Sequence, residues 1–167
     1  MTKIIGGFMI AMVCAWFGFR SADGLKRRHE YLKQFISSLC ALETEITFAG
    51  YELKTIFQHN AKNDLLHDFY MLCADRIEAD GIKSAWRSSL RDIKDNACLK
   101  ADDIAVMEQL GNELGMSDIN GQKKAIERTC ELLKSNEKSS YEEYARLAKV
   151  YRSCGVLAGI FVIIAIM

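Results

Sequence analysis

Few residues in this chain have the types and spacing that chemistry needs. Asp64 and His67 stand at i and i+3, so a helix there would carry a carboxylate and an imidazole on one face. That is half of a carboxylate-bridged two-metal site, which also needs a second such pair and two inward glutamates. His29 and His59 supply no second pair. A metal or small ligand bound near His67 is therefore the lesser reading, and a solvated or structural imidazole the greater. Glu43 and Glu45, in LETEI, lie two positions apart and leave a helix on different faces. They cannot work together as acid and base, so surface charge or contact with a partner protein is their role.

The remaining motifs fall short of a site. Gly111-Asn-Glu-Leu-Gly115 and Gly121-Gln-Lys-Lys124 lack the Gly-Lys-Ser/Thr ending and the preceding strand of a phosphate loop. Asp118-Ile-Asn-Gly121 matches a fragment of a calcium loop, but the bidentate glutamate at position twelve is missing, and helix capping is the expected job. Cys14, Cys40, Cys73, Cys98, Cys130 and Cys154 are widely spaced with no CxxC, which reads as reduced, buried thiols. No catalytic residue, metal ligand or cofactor is expected, and the chain does not read as an enzyme.

The elements that would position such residues are helices. There is no proline in 167 residues. Leu25, Leu32, Leu39 and Ile46 recur every seven positions, with Phe35, Leu42 and Ala49 as companions, a long amphipathic helix ending near Gly50. A short turn of helix follows around Leu53, Ile56 and Phe57. Asn63 or Asp64 is placed to cap a helix burying Leu66, Phe69 and Cys73 that stops at Asp80-Gly81. Trp86, Leu90 and Ile93 share one side of the next. Asp102 is placed to cap a helix with Met107, Leu110 and Leu114, and Ser117 or Asp118 starts the last, with Ile126, Cys130 and Leu133. The fold class expected is all-α: an antiparallel bundle of five to six helices, flanked by N- and C-terminal transmembrane helices.

That flanking expectation comes from charge. The total of 22 basic and 22 acidic groups hides a net of +4 over residues 1–33, −7 over 34–143 and +3 over 144–167. Beyond the basic stretches lie two uncharged apolar runs, Ile4–Phe19 and Ser153–Met167. The apolar residues of each run together favour insertion by roughly 2 to 4 kcal/mol, which one mid-bilayer arginine at about 3 kcal/mol would cancel. Arg20 and Arg152 therefore belong at the membrane surface. A cleaved signal peptide fits the first run less well, because it ends in Phe19-Arg20 without a convincing small-x-small site. Burial in a soluble bundle fits the terminal GVLAGIFVIIAIM poorly, because it is apolar on every face.

The organisation expected is a transmembrane segment at 1–20, a cytoplasmic helical body at 21–152 and a second transmembrane segment at 153–167. Arg20, Lys26, Arg27, Arg28, Arg146, Lys149 and Arg152 form a basic collar against lipid headgroups, and the positive-inside bias puts the body in the cytoplasm. The acidic body argues against nucleic acid as a partner. Gly7, Ala11 and Ala15, and Gly155 with Gly159, make small-xxx-small rows through which membrane helices pack.

The ordered set of motifs resembles the stage III sporulation protein AB family of endospore-forming bacteria. The pieces are Lys3-Ile-Ile-Gly-Gly7, Leu39-Cys-Ala-Leu-Glu-Thr-Glu-Ile46, Gly115-Met-Ser-Asp-Ile-Asn-Gly-Gln122, and Tyr151-Arg-Ser-Cys-Gly155 followed by Val-Leu-Ala-Gly159. The family tail usually has leucine where Cys154 stands, and relatives often carry proline near Tyr51-Glu52. The resemblance implies a mother-cell membrane component of the secretion-like apparatus linking mother cell and forespore. Its body would be similar to cytoplasmic domains of type II secretion platform proteins. The implied partners are membrane lipids and the other stage III sporulation A proteins, including a secretion-type ATPase, with homo-oligomer formation left open.

Overall fold

A computed structural model describes the backbone of residues 2–49, 51–62 and 64–166, and side chains chiefly over 19–48, 51–62 and 64–151. Every regular element among the described residues is helical: α1 (Thr2–Thr44), a π-helical turn (Glu45–Ala49), α2 (Leu53–Asn60), α3 (His67–Ile93), α4 (Ala101–Glu113) and α5 (Ile119–Ile166). Gly81 sits inside α3 at φ 75°, ψ 161°, values a helix cannot hold. The expected stop at Asp80-Gly81 is this kink, and counting the halves of α3 separately makes six α-helical pieces among the described residues, besides the π-helical turn. Glycine is suited to the position because no side chain opposes positive φ.

Two helix starts differ from expectation. α3 begins at His67 with Leu66 before it, so Asp64 lies in the preceding turn and caps nothing; Asn63 lies outside the described residues. α4 is entered at Lys100, and the fully buried Asp103, not Asp102, accepts the Lys100 N–H at 2.9 Å. A carboxylate three residues in satisfies an amide that the helix leaves without a partner. The third start is as expected: Asp118 Oδ1 accepts the Gly121 N–H at 2.9 Å ahead of α5.

The chain divides into two compact units. Glu30–Lys138 contains the core. Leu32, Phe35, Leu39 and Leu42 from α1 are fully buried there, with Ile46 nearly so. They meet Ile56 and Phe57 of α2, Phe69, Trp86 and Leu90 of α3, Met107 and Leu110 of α4, and Ile126 and Leu133 of α5. Trp86 is the hub, with its ring centroid 4.8 Å from Phe69, 5.8 Å from Phe57 and 6.1 Å from Phe35. Aromatic rings at these separations add attraction beyond their apolar area.

The second unit, Met1–His29 with Ser139–Met167, is made of the chain's two ends. Ala22 and Ala148 are buried in it, Arg28 pairs with Glu143 at 3.3 Å, and the His29 and Tyr141 rings lie 5.2 Å apart. Among the described residues no helix is long and apolar enough to cross a membrane. Most side chains of the two apolar runs, including Gly7, Ala11, Ala15, Gly155 and Gly159, lie outside the described residues.

Candidate functional site

The Asp64–His67 geometry is corrected by the structure. Asp64 is off the helix, and the His67 imidazole is occupied: Nδ1 donates to the Ala61 carbonyl at 2.8 Å, tying the turn to the start of α3. A carbonyl only accepts, so that nitrogen carries the proton. A shallow hollow beside it is lined by His67, Asp68, Asp75, Asp92 and Asn96, but Arg76 pairs with Asp92 at 2.8 Å. No three of the described His, Cys, Asp and Glu residues converge as metal ligands would.

The two glutamates of LETEI do reach different neighbours. Glu43 pairs with Lys123 of α5 at 3.4 Å, and Glu45 accepts from His59 Nδ1 of α2 at 2.9 Å. The Tyr51 ring stands edge-on to His59 at 5.6 Å. Both carboxylates thus help fix where α1 ends. The π-helical turn after Thr44 widens the helix by a residue per turn. It leaves Phe48 85% exposed while Ile46 stays in the core. Met116, in the loop before α5, is 77% exposed. Periodicity along α1 does not reveal Phe48, because the turn breaks the period that it relies on.

The loop holding Met116 has a definite construction. The Gln122 side chain accepts from the Gly115 N–H at 3.2 Å and donates to the Ser117 carbonyl at 3.1 Å. Gly115 adopts φ 73°. Together with the Asp118 cap, these bonds account for five positions of GMSDINGQ as loop closure: Gly115, Ser117, Asp118, Gly121 and Gln122.

The proposed collar divides. Arg20, Lys26, Arg27, Arg146 and Lys149 are exposed, and Arg20 lies over the Trp16 ring at 5.7 Å. Arg28 is different: it is 5% exposed and directed at Glu143, an inward role that its exposed basic neighbours in sequence conceal. Arg152 lies outside the described side chains. Among the described side chains shortly before Arg20, Trp16 at 58%, Phe17 at 62% and Phe19 at 47% exposure face outward.

Thiols also depart from expectation. Cys73 and Cys130 are buried, but Cys40, Cys98 and Cys154 are exposed. Burial raises the thiol of Cys73 to about 12, and desolvation does the same for Cys130. Tyr31 and Tyr70 are held well above the usual phenol range for the same reason; Tyr70 is fully buried and shares a 2.7 Å hydrogen bond with Ser38.

Comparison with known proteins agrees with the all-helical fold. The sequence is similar to the stage III sporulation protein AB of Bacillus subtilis (strain 168), at 29% identity over 171 residues covering all of both chains. A solved stage III sporulation protein AB structure superposes with TM-score 0.66 and 27% identity, covering 71% of this chain and 96% of that one. The pattern described as "Stage III sporulation protein AB" matches residues 3–167. The chain belongs to the stage III sporulation protein AB family.

Proposed function

We propose that the chain is a non-catalytic, membrane-anchored assembly component of the secretion-like channel between mother cell and forespore that endospore formation requires. The observation that carries the reading is the outward-facing Trp16, Phe17 and Phe19 immediately before the exposed Arg20. Apolar surface left in water costs about 25 cal/mol per Å² and little in lipid. A cation over an indole suits the headgroup level, where tryptophan and arginine both collect.

In this reading residues 1–20 and 153–167 are membrane helices that pack through Gly7, Ala11, Ala15, Gly155 and Gly159. Arg20, Lys26, Arg27, Arg146, Lys149 and Arg152 meet anionic headgroups, and the body at 21–152 lies in the mother-cell cytoplasm. Its partners are other stage III sporulation A proteins, including a secretion-type ATPase. The surface around Glu43, Glu45 and the protruding Phe48 is where a protein partner docks. Deletion of the chain in a spore former, with restoration from a second locus, tests the proposal. Loss of heat-resistant spores that the restored copy reverses is expected; normal spore counts after deletion would overturn it.

A further inference from the structure

α1 and α5 meet within the unit made of the chain's two ends, and their contacts there fix a register. The ring of His29 on α1 stands 5.2 Å from that of Tyr141 on α5, and Arg28 pairs with Glu143 at 3.3 Å. Seven positions back along α1 is Ala22, and seven on along α5 is Ala148; both are buried. A step of seven returns a helix to nearly the same face, so the two helices run antiparallel along one seam. The same steps continue into the apolar runs, where the backbone stays helical. Ala15 and Ala11 stand seven and eleven positions before Ala22, and Gly155 and Gly159 stand seven and eleven after Ala148. Val13 and Leu157 are nine positions from Ala22 and Ala148, half a turn off the seam, and they are 53% and 63% exposed.

We infer that the two apolar runs pair with each other inside one chain, antiparallel, with Ala15 against Gly155 and Ala11 against Gly159. This pairing rests on the reading of both runs as membrane helices, and it names the partner of each. Lipid tails are as apolar as the runs, so hydrophobic burial drives no association there. Close backbone approach does, and alanine or glycine at each step of the seam permits it. The Arg28–Glu143 contact also holds the two helices together nine and ten residues short of the runs, which therefore begin side by side. Pairing inside the chain avoids most of the entropy cost that association with a second chain carries. The opposite faces, with Val13 and Leu157, are left to lipid.

The experiment places cysteine pairs in the full chain, in a background carrying Cys14→Ser and Cys154→Ser. Membranes are oxidised with copper phenanthroline, and peptides are mapped by mass spectrometry without reduction. Ala15→Cys with Gly155→Cys, and Ala11→Cys with Gly159→Cys, are expected to bridge within one chain, severalfold more than Val13→Cys with Leu157→Cys. Equal bridging by the Val13 and Leu157 pair, or seam bridges found only between chains, would overturn the inference. A photo-crosslinking benzophenone in place of Val13 leaves the seam unaltered and checks the same faces. Lipid adducts are expected from it, and adducts to an α5 peptide of the same chain would sink the pairing. Release of the chain by a carbonate wash would instead overturn the membrane reading on which the pairing rests.

Discussion

The indole N–H of Trp86 donates to the main-chain carbonyl of Met107 at 2.8 Å. This bond fixes α4 against the second half of α3, and Gly111 completes the fit one helical turn on. A Cβ at Gly111 would overlap the Trp86 ring. The approach of α4 is thus set by one hydrogen bond and one missing methyl group.

Gly111→Ala should therefore destabilise the body, although alanine is the better helix former by about 1 kcal/mol. Overpacking against a buried ring costs about 1–3 kcal/mol and wins. Urea unfolding followed by circular dichroism would read the loss. An unchanged midpoint would mean that Trp86 can move aside.

Asp103 joins two elements through its two oxygens. Oδ2 takes the Lys100 N–H, and Oδ1 takes the Asn136 amide at 3.0 Å. Asp103→Ala leaves both donors without this partner, at about 1–3 kcal/mol for each buried loss. Asp102→Ala, its exposed neighbour, should stay within about 0.5 kcal/mol. Comparing the two variants by thermal unfolding separates capping from bulk charge.

Alkaline conditions should weaken the fold through the buried thiols. Burial raises the Cys73 thiol from its ordinary 9.0 to about 12, so above pH 9 the unfolded chain loses a proton that the folded chain keeps. Stability then falls with rising pH up to about 12, by at most roughly 1.4 kcal/mol per unit for one group. Cys130 adds in the same direction. Cys73→Ala should flatten the slope between pH 9 and 11 by about one proton, measured as denaturant midpoint against pH.

Much of this architecture is legible in the sequence. Leu32, Leu39 and Ile46 announce the buried face of α1 because the helical period is local. Gly81 marks its kink and Asp118 its cap, since each acts on its own backbone. What stays hidden depends on partners far along the chain. Asp103 rather than Asp102 is selected by Asn136, Gly111 by Trp86, and Arg28 is drawn inward by Glu143.

Lipid attraction should follow the exposed basic set. The test uses a body lacking the apolar runs, residues 20–152. Replacing Lys26, Arg27, Arg146 and Lys149 with glutamine should weaken its binding to phosphatidylglycerol vesicles by about 1 kcal/mol per residue. Arg28→Gln should instead lower stability, because it removes a buried partner of Glu143. Vesicle co-sedimentation with parallel thermal unfolding distinguishes these outcomes.

The most direct test of a body held on the inner face of the membrane uses the exposed Cys98 as a reporter. A membrane-impermeant maleimide is applied to intact protoplasts and to inverted vesicles of the sporulating cell, and Cys98 labelling is quantified by peptide mapping. The account predicts labelling in inverted vesicles only, with the protein retained in the membrane after carbonate washing. Labelling in intact protoplasts, or release of the chain by the carbonate wash, would contradict it.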